Sequence, residues 1–208
     1  MSKYIKSLIE EGEHQQLDFK FEISNARKIA RTISAFANTK GGTLLIGVKD
    51  NGKITGVKTE EEKYMIESAA ELYCKPPARY STKDWTVDGK HILEVTIYES
   101  ENKPHLAPFR DDQWKAYVRV RDENFLANGV MMQVWKNTHK SVLVRYDEEE
   151  KLLFDYLKKH SEISLSVFKK RARVNHYLAQ RILANLISIG IIKITITEKG
   201  ASYSLSEI

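Results

Sequence analysis

Glu13 to Val57, EHQQLDFKFEISNARKIARTISAFANTKGGTLLIGVKDNGKITGV, reads as strand, helix, tight turn, strand and hairpin. Asp18-Phe19-Lys20-Phe21 alternates polar and apolar, so Asp18 and Lys20 share one face of a strand and Phe19 and Phe21 the other. Ser24 or Asn25 can cap a helix running to about Asn38, with Ile29, Ile33, Phe36 and Ala37 on one stripe. Arg27, Lys28, Arg31 and Asn38 occupy its opposite face. Gly41-Gly42 ends the helix and turns the chain. Leu44 to Val48 is the continuous apolar run of a strand covered on both sides. Asn51-Gly52 is a strong hairpin signal that returns the chain into Ile54 to Val57.

Outside this stretch, residues 4–11 suggest a short leading helix. Thr59 can cap a helix to about Tyr73, with Glu62 completing a capping box and Pro76-Pro77 stopping it. Residues 78–87 and 91–98 read as a hairpin around Asp88-Gly89. Its second arm points Leu93, Val95 and Ile97 one way and Glu94, Thr96 and Tyr98 the other. Ser100 to Asp112 reads as a loop. Ala116 to Arg121 is a strand whose alternation places Val118 and Val120 inward and Tyr117, Arg119 and Arg121 outward. A short helix from Gly129 to Trp135 closes a first domain at residues 1–136. Strands and helices are mixed rather than strictly alternating, which predicts an α+β fold with a mixed sheet and packed helices.

Residues 137–146 form the expected linker, and residues 147–208 a second, small domain. Four acids, Asp147 to Glu150, suit the start of a helix running to about His160. Ser164 to Arg171 and Asn175 to Ile189 are two more helices, the last with Leu178, Ile182, Leu186 and Ile189 as its buried stripe. Two strands follow, Ile191 to Ile196 and Ser202 to Leu205.

The formal charge of +5 and pI near 9.1 favour a polyanionic partner. Cys74 is the only cysteine, which excludes an internal disulfide and a cysteine zinc site. No apolar run approaches membrane-spanning length and Met1 to Gly12 lacks a signal-peptide core, so the expectation is a cytoplasmic protein with no membrane partner.

The pattern G-E-x4-D-F-K, followed by T-I-S-A-F-A-N-T-K-G-G-T-L-L-I-G-V-K-D-N-G-K-I-T-G-V, resembles the Schlafen-type AlbA-like domain, a family associated with DNA binding and widespread in bacteria. Lys103-Pro104-His105 and Tyr117-Val118-Arg119 are similar to that family's second half, so the likeness runs over roughly residues 8–135. The last sixty or so residues, three helices and a β-hairpin with L-x-x-L-I-S-I-G-I-I at the end of the third helix, resemble a winged helix-turn-helix.

Three groups of residues could carry chemistry. Opposite its apolar stripe the third C-terminal helix presents His176, Tyr177, Gln180 and Ala184, with Arg173 ahead, Arg181 at the shoulder and Lys199 in the strand turn. Gln and Arg can read base edges, and Ala184 would permit close approach. From Lys158 to Lys193 eight basic residues and one acid, Glu162, leave a local net of +7, the excess that phosphate neutralisation needs. The alternatives are a domain used for protein contacts or a solvated basic face.

Arg27, Lys28, Arg31 and Lys40, with Lys20, Tyr117, Arg119 and Arg121, would form a second basic face with an aromatic among the cations, suited to tracking a nucleic-acid backbone. It can equally be an ordinary face balanced by Glu13 and Glu22. Some Schlafen-type domains are metal-dependent RNA nucleases using an E-x4-E pair and a third carboxylate. That resemblance carries over to Glu13, Asp18 and Asp50 as metal ligands and catalytic groups, with Asp18 one methylene shorter than the family's Glu. Such a site would use Mg²⁺ or Mn²⁺, with Lys20 stabilising phosphorane charge. Alternatively Glu13 and Asp18 pair with Lys20 and Arg31 for structure, and Asp50 opens a turn. Gly41-Gly42-Thr43 lacks P-loop spacing, and the six histidines are scattered without zinc-helix pairing.

The sequence thus predicts a homodimeric nucleic-acid-binding protein that engages duplex DNA as a transcriptional regulator and needs no cofactor for binding. A metal-dependent endoribonuclease and a non-enzymatic interaction module are the rival readings.

Overall fold

The computed structural model describes residues 2–57, 59–110, 112–138, 140 and 142–206. The chain divides into two compact units, Met1–Ala127 and Asn128–Ile208. The first is built as α1 (Ser2–Glu11), β1 (Leu17–Lys20), α2 (Ala26–Asn38), β2 (Gly42–Ile46), α3 (Thr59–Glu67), a π-helical turn (Ser68–Leu72), then β3 (Tyr80–Val87), β4 (Lys90–Ile97), β5 (Leu106–Arg110), β6 (Gln113–Val120) and β7 (Glu123–Leu126). Strands β1-β2-β4-β3 form one sheet, parallel at β1·β2 and antiparallel elsewhere, so the sheet is mixed as expected.

The continuous apolar run becomes central strand β2 because both of its faces are covered. Leu44 and Ile46 join Ile29, Ile33 and Phe36 of α2 in one core, while Leu45 joins Ile5, Phe19 and Ile92 in a second core on the other face. Asn25 caps α2 by accepting from Lys28 N–H at 3.1 Å. Gly41 then turns the chain at φ +67, and a Cβ there would sit 2.7 Å from the Ile97 carbonyl, so no other residue fits without a shift. The β3–β4 turn has positive φ at both Asp88 and Gly89, the conformation that matches the twist of a two-residue hairpin. Buried Glu94 accepts from Tyr4 Oη and Trp85 Nε1, each at 2.7 Å, and ties α1 to that hairpin.

Three expectations need correction here. After Asn51-Gly52 the returning arm makes a single bridge, Val48 to Ile54, instead of a strand, because Val57 N–H is taken by the His91 carbonyl at 3.0 Å. The stretch Ser100 to Asp112 is not all loop: it contains β5, which pairs with β6 in a second sheet ordered β5-β6-β7. Tyr117 and Arg119 of β6 point inward, not outward, and are 6% and 3% exposed, because α2 covers the face they occupy. Thr59 is the first residue of α3, and the cap expected from its side chain lies outside the described residues.

Asn38, the last residue of α2, joins that helix to the second sheet. Its Nδ2 donates to the carbonyls of His105 (2.8 Å) and Tyr117 (2.9 Å), and its Oδ1 accepts from His105 N–H (2.7 Å). Ser34, one turn earlier, donates to the same His105 carbonyl at 2.7 Å. The His105 ring is buried with Nδ1 2.8 Å from the Pro76 carbonyl, and burial pushes its pKa down.

The second unit comprises α4 (Gly129–Asn137), α5 (Glu148–Leu157), β8 (Ile163–Ser164), α6 (Leu165–Ala172), α7 (His176–Ser188), β9 (Ile192–Thr197) and β10 (Gly200–Leu205), with sheet order β8-β10-β9. Its core gathers Leu153, Phe168, Leu183, Leu186 and Tyr203. Asn128, Ser164 and Asn175 cap α4, α6 and α7 through their side chains. Helix α4, read from sequence as the end of the first domain, belongs to this unit: its Val130 is fully buried in this core. On α7, Ile189 is 43% exposed instead of buried, and Ala184 is 1% exposed instead of outward.

Asn38→Ala would strand the His105 N–H and the Tyr117 carbonyl, while Ser34 still satisfies the His105 carbonyl. Two buried groups left without partners cost roughly 2–4 kcal/mol. Urea unfolding of the variant against the parent chain measures that loss.

Candidate nucleic-acid interface

The Glu13-x4-Asp18 pair sits where β1 begins. Glu13 Oε1 accepts from Phe19 N–H at 2.8 Å, a donor that this edge strand would otherwise leave unpaired. Burial and the neighbouring Asp18 push the Glu13 carboxyl up from its ordinary value, partly offset by the Phe19 N–H and Lys20. Asp18 is 3% exposed and accepts from Arg119 Nη2 at 2.9 Å. Its other oxygen lies 2.7 Å from Lys20 Nζ, an ion pair without hydrogen-bond alignment. Arg119 also lies over the Phe36 ring at 5.1 Å. The Gln15 amide clamps the end of β6, donating to the Arg119 carbonyl (2.5 Å) and accepting from Arg121 N–H (2.9 Å).

Asp50 stands exposed in the turn that Asn51-Gly52 makes. Among the described residues no three His, Cys, Asp or Glu side chains gather where they could hold a metal ion. Glu13 and Asp18 therefore meet, Asp50 does not join them, and Asp18 is already held by two cations. These side chains do not fit the three-carboxylate metal centre that the resemblance implied. Lys20, expected to face a phosphorane, spends its charge on Asp18 and donates to the Phe19 carbonyl at 2.7 Å.

The basic face expected on the first unit is divided. Arg119 and Tyr117 are buried, and Arg31 donates from Nε and Nη2 to the carbonyls of Pro108 and Phe109, each at 2.8 Å. Arg27, Lys28, Lys40 and Arg121 are exposed. Alternation gave the two faces of β6 correctly but could not say that α2 covers the one bearing Tyr117 and Arg119.

On the second unit the expected residues are better placed. Arg173 ends α6 in the left-handed region at φ +54, and Asn175 caps α7 by accepting from Leu178 N–H at 2.8 Å. His176, Tyr177 and Arg181 are exposed at the start of α7, and Lys199 is exposed in the β9–β10 turn. Lys169, Lys170 and Arg171 add three exposed cations in the last turn of α6. Sequence reasoning counted these three as charge without naming them as contacts. Gln180 is half-buried and packs over Gly129 so closely that a Cβ on Gly129 would collide with its amide. Arg181 shares a groove of about 540 Å³ with Asp147, Glu149 and Glu150, which temper its charge.

The Schlafen, AlbA_2 family matches residues 13–128, more than half of the 208 residues. The chain belongs to the Schlafen AlbA_2 family. Similar solved structures include the DIP2311 protein from Corynebacterium diphtheriae, at 17% identity and TM-score 0.46 over 70% of this chain and 35% of that one. A second is the N-terminal domain of an ATP-dependent DNA helicase RecG-related protein from Nitrosomonas europaea, at 19% identity and TM-score 0.45 over 69% of this chain and 97% of that one. The AlbA_2 chain thus spans about a third of the first protein's length. No curated protein matches it. No helix among the described residues is long and apolar enough to cross a membrane.

In this AlbA_2 domain, Asp18→Ala leaves a buried guanidinium uncompensated and should lower unfolding free energy by roughly 3–5 kcal/mol in a denaturant titration. Glu13→Gln should behave oppositely. The folded chain holds the Glu13 proton more tightly than the unfolded chain, so stability falls as pH rises from the ordinary value of 4.5 through the raised one. The Gln variant should match or exceed the parent near neutral pH and lose that advantage in acid, with no Mn²⁺-dependent change in the melting point of either.

Proposed function

We propose that this AlbA_2 protein binds nucleic acid, engaging duplex DNA through its second unit, read as a winged helix-turn-helix. The observation that carries this is the exposed run Lys169, Lys170, Arg171 and Arg173 leading into the exposed start of α7, with Lys199 in the strand turn. Phosphate contacts supply most of non-specific affinity, and a cluster of unburied cations between two helices is suited to them. His176, Tyr177 and Arg181 are the side chains free to reach base edges. Gln180 contributes from the side only, since it packs on Gly129. Arg27, Lys28, Lys40 and Arg121 would add scattered phosphate contacts on the first unit, where Arg31, Tyr117 and Arg119 act in structure instead. On this reading the protein acts as a transcriptional regulator, and as a homodimer where such domains engage paired half-sites. A metal-dependent nuclease would need Glu13, Asp18 and Asp50 to meet at one cation, and their placement does not favour it.

In mobility shifts of the full chain, Arg173→Ala should weaken duplex binding and flatten the dependence of log affinity on log salt by about 1 per lost phosphate contact, while Arg181→Ala should weaken binding to a preferred duplex more than to other duplexes. Binding of either variant equal to the parent at every salt concentration would remove the second unit from the interface.

A further inference from the structure

Among the described residues the three sheets leave six strand edges, at β1, β3, β5, β7, β8 and β9. All but one of these edges are blocked, charged or short. Glu13 takes the Phe19 N–H on β1, Lys75 bridges Leu106 on β5, and β3 carries Lys83 and Asp84, the latter 2.6 Å from Lys63 Nζ. Strands β7 and β8 have four and two residues. Strand β9, Ile-Lys-Ile-Thr-Ile-Thr, has six residues and none of these protections except the single charge of Lys193. Its bonds to β10 fix which groups stay open. Thr197 and Gly200 flank the two-residue turn, and at the other end Ser206 N–H donates to the Ile191 carbonyl at 3.0 Å. Bonded and non-bonded pairs alternate in an antiparallel ladder, so the odd-numbered residues of β9 bond to β10. The N–H and C=O of Ile192, Ile194 and Ile196 therefore point away from β10, and no other backbone among the described residues takes them. Their side chains share one face, on which Ile194 and Ile196 are half-buried and Leu205, opposite Ile192, is exposed. Lys193 and Thr195 stand exposed on the other face.

We infer that β9 is the contact with a second copy of this chain, the two strands pairing antiparallel about a two-fold axis through Ile194. A two-fold contact needs a patch that is complementary to itself. Centring on Ile194 engages the open groups of all three isoleucines, with Ile194 opposite its own copy and Ile192 opposite Ile196. It also sets each Lys193 opposite a Thr195. Centring on Lys193 would set lysine against lysine, and centring on Thr195 would set Ile192 against Glu198 of the turn. The half-buried sides of Ile194 and Ile196 would meet their counterparts across the axis and close apolar surface left open at the margin of the sheet. The two three-stranded sheets become one of six strands, and neither copy keeps an open β9 edge. The inference rests on the homodimer of the proposed function, names its contact, and needs no DNA.

The test is sedimentation equilibrium of the full chain without nucleic acid, in which the parent should dimerise. Thr195→Lys, at an exposed position, sets like charges across the axis twice and should weaken the dimer about fivefold. Thr195→Glu sets a carboxylate opposite Lys193 twice and should tighten it by about as much. Both differences should shrink at high salt. Opposite responses at one position do not come from a general loss of fold, and should Thr195→Lys melt early, Thr195→Glu decides the matter. The inference is overturned by a dimer that neither substitution changes, which puts the homodimer contact elsewhere. It is equally overturned by a dimer that both weaken, which puts the axis in another register. A parent chain that is monomeric at every concentration overturns this contact and the homodimer together, and a different protein adding a strand at β9 would appear in this way. Loss of duplex binding in Arg173→Ala speaks to the DNA contact and leaves the β9 interface standing.

Discussion

Asn38 uses both polar atoms of its side chain to hold backbone that lies 67 and 79 residues away. Helix α2 is thereby packed on two sheets at once. Its apolar stripe, Ile29, Ile33 and Phe36, meets the mixed sheet, and its small polar residues, Thr32, Ser34 and Asn38, meet the second sheet. Those polar residues are buried because their partners are strand carbonyls and amides that would otherwise be unsatisfied. Everything on the far side of α2 inherits its position from this contact: β5 through His105, β6 through Tyr117, and through β6 the guanidinium of Arg119.

Local signals were sufficient where the chain's own period decides the outcome. The β1–α2–β2 unit, the Asp88-Gly89 hairpin and the helices α6 and α7 were all readable, since alternation, helical spacing and turn residues act over a few positions. Strand β5 was not. It has no alternation and contains Pro108, and it is held by distant groups: Lys75 on one edge and the Arg31 guanidinium at its end. Asn38 was placed on the correct side of its helix, opposite the apolar stripe. What covered that side could not be read. The same gap explains Tyr117 and Arg119, whose shared face was legible and whose burial depended on α2.

The carboxylate motif shows how a chemical signature can be kept for other reasons. Glu13 satisfies the Phe19 amide at an edge strand, and Asp18 fixes Arg119, which in turn lies on Phe36. A buried ion pair of this kind contributes little net stability over an apolar substitute, yet losing one partner is costly because the other charge remains. Such a pair ties β6 to β1 beside the Gln15 clamp. Glu13 and Asp18, the two carboxylates in the family's spacing, thus each have a structural partner.

Helix α4 limits what the second unit can do. It runs beside α7, with Gly129 against Gln180 at one end and Asn137 donating to Asn185 and Ser188 at the other, at 3.1 and 3.2 Å. Its Val130 is fully buried, so it is a part of the fold and not a loose attachment. The arc of α7 holding Gln180 and Ala184 is therefore closed to a major groove, and only the arc with Tyr177 and Arg181 stays open. On the proposed reading, α7 meets DNA by its first two turns and not along its length. Few base edges fall within reach of so short a contact, while Lys169 and Lys170 of α6 and Lys199 remain exposed for phosphates. Affinity would then rest chiefly on charge, and discrimination between sequences on the two or three side chains at the helix start.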